Sequence, residues 1–201
     1  MKVEFVTAST GAEVLAVLVH ADRKLSGAAT AADAAAGGAL SRAMGVSRFT
    51  GGANSTLVVA APSGVEAQTV LLVGAGAETL DDLGVETAAG AAYHAVKMSG
   101  ASILTLDLSE LSPEQAARAA FAVQLASYRF DKYRTTQKPD KVPSITTVQV
   151  ITSDLRAAQA AHDGFSAVAD AVTFARDLVS EPAHVLYPAE FARRVKALEP
   201  L

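Results

Sequence analysis

The sequence predicts an α/β sandwich, in which a largely parallel or mixed sheet is flanked by helices, followed by helices that begin a second unit. Three observations predict it. Short apolar runs of strand length alternate with helical segments through residues 1–152. Some of these runs are continuously apolar, the pattern of strands covered on both faces. After Asp154 the strands stop and two helical segments follow.

The first elements are two strands and a helix. Residues 3–5 and 14–19 form the strands, joined by a turn at Thr10-Gly11. Since residues 14–19 are all apolar, this strand is expected to be covered by helices on both faces. Residues 28–40 form an alanine-rich helix that ends near Gly37-Gly38.

The middle of the chain continues the alternation. Residues 57–60 and 69–73 are two more buried strands. A helix then runs from Thr79 to about residue 98, because Thr79 with Asp82 three residues later approximates a capping box. Residues 103–106 form the next strand.

The next helix has the strongest start signal in the sequence. Ser112 is its N-cap, Pro113 its first helical residue, and Gln115 completes a capping box. The helix runs to about Ser127. A polar link with lysines and prolines follows, and residues 144–151 form the last strand.

Two helices close the chain. Residues 154–180 form a long helix with an apolar stripe at alternating spacings of three and four: Phe165, Val168, Val172, Ala175 and Val179. Pro182 ends it. The last helix opens at Pro188, and no strand follows to receive its apolar residues, so we expect a truncated second domain. The predicted domains are residues 1–152 and 153–201.

Composition excludes several classes of protein. A net charge of −4 argues against a dedicated nucleic-acid or anionic-membrane binder. The absence of cysteine excludes disulfides, thiolate catalysis and cysteine-bound zinc. The first apolar run contains Glu4, which does not fit a signal peptide, and no apolar run is long enough for a membrane span. We expect a soluble, cytoplasmic protein without a membrane partner.

No catalytic, cofactor-binding or metal-binding residue is predicted. Asp163, Asp170 and Asp177 recur every seven residues on one helix, about 10 Å apart along its axis, too far to share an ion. They are interpreted as a solvated face. No Gly-x-Ser-x-Gly motif is present. The histidines lack the His-x-x-x-His spacing of a zinc helix; they are His20, His94, His162 and His184.

Two segments have binding alternatives. Gly74-Ala75-Gly76 lies between a strand and a helix, where phosphates bind in many α/β folds, but a complete dinucleotide or P-loop motif is missing. A tight turn is favoured. Residues 128–134, followed by Lys138 and Lys141, mix aromatics with cations as single-strand-binding proteins do. Because the chain is acidic overall, a structural interpretation is favoured over nucleic-acid binding. In it, the aromatic side chains pack the end of a helix against the core, and the cations are solvated.

Four segments, in order along the chain, resemble the leucyl aminopeptidase (cytosol aminopeptidase) family. Residues 71–76, Leu-Leu-Val-Gly-Ala-Gly, resemble the family's V-L-L-V-G-L-G segment, and residues 90–92 a small-residue patch. Residues 128–133 resemble its Y-x-F-x-x-Y segment. The most specific are residues 176–192, which resemble R-D-L-V-N-x-P-x-N-x-x-x-P-x-x-F-A at the start of the catalytic domain. This sequence has Ser180 and His184 at two positions where asparagine is common in the family.

The resemblance implies a macro-domain-like α/β sandwich at this end of a metal-dependent aminopeptidase. The family enzyme removes N-terminal residues from peptides, uses two divalent ions, manganese or zinc, and forms hexamers. Its N-T-D-A-E-G-R-L and G-K-G-x-T-F-D-x-G-G runs, which hold the ions, do not occur in this sequence. The first domain is then expected to serve assembly and active-site access. The 201-residue chain alone is expected to be inactive and to hold no metal.

Two other functions remain open. Macro-like folds bind ADP-ribose, so a nucleotide-binding module around Gly74 to Thr79 is the first alternative. An accessory DNA-binding domain is the second, because some members of the family bind DNA. Charge reversal at Arg129, Lys132 and Arg134 is expected to leave duplex affinity unchanged.

Overall fold

The computed structural model describes residues 1–9 and 11–199 and contains a seven-stranded sheet with helices on both faces. Thr10, half of the expected turn, lies outside the described residues. The strands are β1 (Lys2–Val6), β2 (Val14–His20), β3 (Lys24–Leu25), β4 (Thr56–Ala60), β5 (Thr69–Gly76), β6 (Ile103–Asp107) and β7 (Thr147–Ile151). The helices are α1 (Gly27–Ala35), α2 (Ala39–Val46), α3 (Asp82–Val96), α4 (Pro113–Ser127), α5 (Leu155–Ser180) and α6 (Pro188–Lys196).

The sheet is mixed, as predicted. Its order is β1-β7-β6-β2-β5-β4, and the short β3 pairs with β2. The strands from β1 to β5 in this order are parallel, whereas β4 is antiparallel to β5 and β3 to β2. The first two strands of the sequence are not neighbours, because β7 and β6 lie between them.

Alternate residues of the central strands supply two separate cores. On β5, Leu71 and Val73 face the layer of α3 and α4, whereas Val70 and Leu72 face α1 and α2. All four side chains are buried. This is why β2 and β5 are continuously apolar in sequence: both of their faces are covered.

The layer of α3 and α4 is built from alanines. Small side chains let the two helices approach closely, although each buries little area. The buried alanines are Ala88, Ala89 and Ala92 on α3 and Ala116, Ala117, Ala119 and Ala120 on α4.

Two predicted helices differ from the observed ones. The helix expected over residues 28–40 is two helices, because Gly37 and Gly38 turn the chain with φ of +59° and +78°. Asp33 then accepts the Leu40 amide at 2.8 Å at the start of α2. The helix expected from Thr79 begins at Asp82, because Asp81 is the N-cap and accepts the Gly84 amide at 2.8 Å.

The predictions for β4 and α4 had opposite outcomes. The segment expected as a buried strand over residues 57–60 is an edge strand, and Val58 is 52% exposed. The capping box of α4 is confirmed: Ser112 accepts the Gln115 amide, and the Gln115 side chain accepts the Ser112 amide.

Helix α5 packs on α4 and β1 through a face adjacent to the predicted one. Its buried residues are Ala158, His162 and Ala169, and Phe165 is partly buried. The predicted stripe is wrong at Val168 and Val179, which are 50% and 89% exposed, and at Ala175, which is also exposed. Helix α5, which the sequence assigns to the second domain, packs against elements of the first. The boundary at residue 152 stays a prediction. No helix in residues 1–9 and 11–199 is both long and apolar enough to cross a membrane.

Candidate functional site

Two segments far apart in sequence meet at the end of α5. Residues 128–133, which follow α4, contact residues 176–181; we call these two segments together the clasp. The Tyr128 hydroxyl donates a hydrogen bond to Asp177 Oδ1 at 2.8 Å. The Arg176 guanidinium lies 4.0 Å from the centroid of the Tyr128 ring and donates to Leu125 O at 3.2 Å. The clasp therefore attaches the C-terminal turns of α5 to the exit of α4.

Glu181 is the centre of the clasp. Its side chain is only 2% exposed, and it accepts hydrogen bonds from Lys132 Nζ at 2.8 Å, Arg194 Nη1 at 3.2 Å and the Tyr133 hydroxyl. The hydrogen bonds from Lys132 and Tyr133, with that from Arg194, lower the pKa of Glu181 to about 2. A carboxylate held this way joins three segments: the loop after α4, the end of α5, and α6.

The partner on α6 is itself fixed. Arg194 also pairs with Glu190 at 2.9 Å, and Glu190 pairs with Arg193 at 2.6 Å. The hydrogen bond from Arg193, followed by that from Arg194, lowers the pKa of Glu190 to about 2. Because Arg194 bridges two carboxylates, the orientation of α6 is coupled to Glu181.

Proline placement explains why the chain bends here. Pro182 holds Glu181 extended at the end of α5. The amides of Val185 and Leu186 both donate to Pro182 O at 2.9 Å, which makes a tight turn. Pro188 is the first residue of α6, where its missing N–H has no helical acceptor to lose.

The clasp corrects one sequence interpretation. Asp177 was expected on a solvated face, but it is half-buried and accepts the Tyr128 hydroxyl. Asp163 and Asp170 are exposed, as expected. Ser180, one of the two departures from the family pattern, places its hydroxyl 3.5 Å from that of Tyr128.

Sequence reasoning missed Glu181, Lys132 and Tyr133 as partners. The pairing spans 49 residues between Lys132 and Glu181, and neither segment alone indicates it. The only available signal was that both segments lie in the portions that resemble one family.

The residues present do not fit a divalent metal ion. His20 donates to Ala77 O at 2.7 Å, His94 lies beside Lys97, His162 is buried against Phe5, and His184 is exposed. Within the described residues, no three or more histidine or carboxylate groups come together to hold an ion. That the chain contributes no catalytic or metal-binding residue stays a prediction.

The glycine segment is not an open phosphate turn. Gly74 and Gly76 lie within β5, and their amides donate to Ser55 O at 2.8 Å and Gly51 O at 2.9 Å. A Cβ on Gly74 would overlap Gly52 O and Ser55 Oγ. Glycine is needed here so that the loop before β4 can approach the strand.

The crevice at the carboxyl ends of β2 and β6 is acidic. After β2 the chain continues towards one edge of the sheet, and after β6 it continues towards the other. Open α/β sheets bind ligands at the carboxyl ends of two such neighbouring strands. A cavity of about 130 Å³ lies there, lined in part by His20, Glu78, Asp107 and Glu110. The Glu110 carboxylate lies against Gly27, the first residue of α1. Glu78 is paired with Lys24, but the carboxylates of Asp107 and Glu110 still repel a phosphate group, so the geometry gives no support to an ADP-ribose site.

Much of the basic segment is engaged within the protein. Lys132 binds Glu181, and Arg129 Nη2 donates to Gln137 Oε1 at 2.9 Å. Phe130 packs its ring edge-on against Tyr133, with 5.8 Å between centroids. Because these cations and rings have partners within the protein, the structure favours the interpretation that this segment packs the end of α4 against its neighbours.

Comparison with known proteins gives the same assignment along the whole chain. Residues 16–137 match the model of the N-terminal domain of the cytosol aminopeptidase family. A "Probable cytosol aminopeptidase" of Caulobacter vibrioides is 49% identical over 205 residues, which cover 100% of this chain and 41% of that protein. One of Bradyrhizobium sp. is 34% identical over 209 residues, with the same two coverages.

Two solved structures are similar in fold. A mutant of tomato leucine aminopeptidase superposes with a TM-score of 0.80 at 19% identity, covering 98% of this chain and 42% of that one. The bottromycin maturation enzyme BotP, solved in complex with Mn, gives a TM-score of 0.68 at 28% identity, covering 93% and 36%. The chain thus spans about two fifths of the length of the relatives that it matches. On the match to the N-terminal domain model over residues 16–137, the chain belongs to the cytosol aminopeptidase family.

Proposed function

We propose that this chain is the non-catalytic N-terminal part of a metal-dependent leucyl aminopeptidase, which releases N-terminal residues from peptides. The observation that supports this best is the alignment of the whole chain with 41% of a relative at 49% identity. The remaining length of that relative has room for the metal site. The described residues do not fit a divalent ion, so the two ions, manganese or zinc, are assigned to polypeptide that this chain does not contain.

The proposed role of the chain is assembly and control of access to the active-site cavity. The clasp supports it, because Glu181 and Arg194 fix the direction in which α6 leaves the sandwich. Relative motion between domains is the default, and the ion pairs of Glu181 with Lys132 and Arg194 restrain it here. We place the whole enzyme in the cytoplasm and propose that it acts as a hexamer, with residues 1–152 as one domain and 153–201 as the start of the next.

The first experiment assays the purified 201-residue chain on leucine p-nitroanilide with added Mn²⁺ or Zn²⁺, beside the full-length Caulobacter vibrioides relative. We expect turnover by the relative only. Calorimetry with Mn²⁺ is expected to show no tight binding to the chain. Metal-dependent turnover by the chain alone would refute the division of labour.

A further inference from the structure

A second cavity, of about 340 Å³, lies between the ends of α3 and α4 and the loop before β7. Four of its lining residues are cations and none is a carboxylate. This is unusual in a chain with a net charge of −4. The cations are Lys97, Arg129, Arg134 and Lys141.

Part of this charge is balanced locally. The C-termini of α3 and α4 face the cavity, and each helix end carries about half a negative charge. Arg129 lies 3.4 Å from Asp131, and Lys141 lies 3.6 Å from Asp140. Lys97 and Arg134 have no carboxylate partner within the described residues. The two helix ends and the two carboxylates together carry less negative charge than the four cations carry positive charge. The cavity therefore keeps a positive potential.

One wall of the cavity is already ordered. Arg129 donates to Gln137 Oε1 at 2.9 Å and to Lys141 O at 3.3 Å, and Gln137 Nε2 donates to Lys141 O at 2.6 Å. Lys97 Nζ donates to His94 Nδ1 at 3.1 Å, and burial together with Lys97 lowers the pKa of His94, so this partner stays neutral at pH 7. Donors held in place before binding lose little entropy when a ligand arrives.

The other wall is apolar and aromatic. Tyr93, which is 2% exposed, lines the cavity with Phe130 and Met98. A cavity with cations on one side and rings on the other suits a phosphate group attached to an apolar or aromatic body. Its volume is within the range of small-molecule sites.

We propose that this cavity binds a phosphorylated small molecule of nucleotide size, with Arg134 and Lys97 on the phosphate. Arg134 and Lys97 supply the free charges, and Arg129 is the fixed donor. The site is separate from the acidic crevice of β2 and β6 and independent of the proposed peptidase activity.

Titration of the 201-residue chain with AMP and with inorganic pyrophosphate tests this, using calorimetry and amide chemical shifts at pH 7 in low salt. We expect both probes to bind, with shifts centred on Lys97 and Arg134. Arg134→Gln is expected to weaken binding about tenfold. Arg48→Gln, the same charge change at an exposed site outside the cavity, is expected to leave it unchanged. Circular dichroism of each variant confirms that it is folded.

Two results would overturn the proposal. One is that neither AMP nor pyrophosphate binds the unmodified chain. Another is equal weakening by Arg134→Gln and Arg48→Gln, which would reveal only a general charge effect. If AMP and pyrophosphate do not bind but a single-stranded oligonucleotide does, these cations belong to a nucleic-acid surface instead.

Discussion

The hydroxyl of Tyr128 donates a hydrogen bond to Asp177 across 2.8 Å, joining residues that are 49 positions apart in sequence. Arg176, next to Asp177, covers the ring of the same tyrosine. One side chain of the loop after α4 is therefore held at both its ring and its hydroxyl by the end of α5.

Removal of that hydroxyl tests its contribution. Tyr128→Phe keeps the ring under Arg176 but leaves Asp177 without its donor. We expect a loss of about 1 kcal/mol in the free energy of unfolding, measured with urea. Tyr187→Phe removes a hydroxyl from a tyrosine that is 54% exposed and is expected to change stability little. Equal effects of the two variants would contradict the clasp.

The acid sensitivity of the clasp follows from Glu181. Its folded-state pKa is about 2, below the ordinary 4.5, so its contribution to stability is complete above about pH 4.5 and is lost as pH falls towards 2. Glu181→Gln is expected to lower stability at pH 7 and to flatten the acid side of the profile. Urea unfolding across this range measures both, with Glu66→Gln as an exposed control. A profile that keeps its acid slope in Glu181→Gln would argue against this role.

The burial of His162 predicts a second pH dependence of the folding stability, at a pH nearer to neutrality. Burial lowers its pKa below 6.5, against weaker opposing effects of Ala117 and Asp163, and its Nδ1 has no partner within the described residues. The unfolded chain therefore binds the proton more readily, and stability falls as pH drops below about 6.5. His162→Leu is expected to remove this dependence, whereas His184→Leu, at an exposed site, is not. Thermal unfolding at several pH values decides it.

Gly74 and Gly90 form a matched pair for the glycine argument. A Cβ at Gly74 would overlap the loop before β4, whereas a Cβ at Gly90 on α3 meets nothing within 4 Å. Gly74→Ala is expected to destabilise by about 1–3 kcal/mol, and Gly90→Ala to stabilise by about 0.5–1 kcal/mol. Urea unfolding of both variants tests it. A neutral Gly74→Ala would contradict the close approach of the loop before β4 to β5.

Local signals predicted local features of the fold well. The capping box at Ser112 and the apolar runs of β2 and β5 are visible in a few neighbouring residues, and the structure has them. The split between α1 and α2 was missed because Asp33 caps a helix that begins after two glycines. The edge position of β4 was missed because strand order depends on pairings between distant segments.

The clasp was beyond reasoning from composition and spacing. Glu181 and Lys132 are ordinary charged residues in their own segments, and only the fold brings them together. The resemblance drew attention to both segments without indicating that they touch. The stripe on α5 failed for a related reason: several faces of an alanine-rich helix are apolar enough to pack, and β1 and α4 select one of them.

We propose that this chain supports the catalytic part of a peptidase, and that the catalytic residues lie in polypeptide that this chain does not contain. The test is a chimera in which this chain replaces the aligned part of the Caulobacter vibrioides relative. Its hydrolysis of leucine p-nitroanilide is measured with and without Mn²⁺. We predict metal-dependent turnover, reduced when the chimera carries Glu181→Gln. A chimera that folds and assembles as the parent does, yet shows no turnover, would contradict the supporting role of this chain.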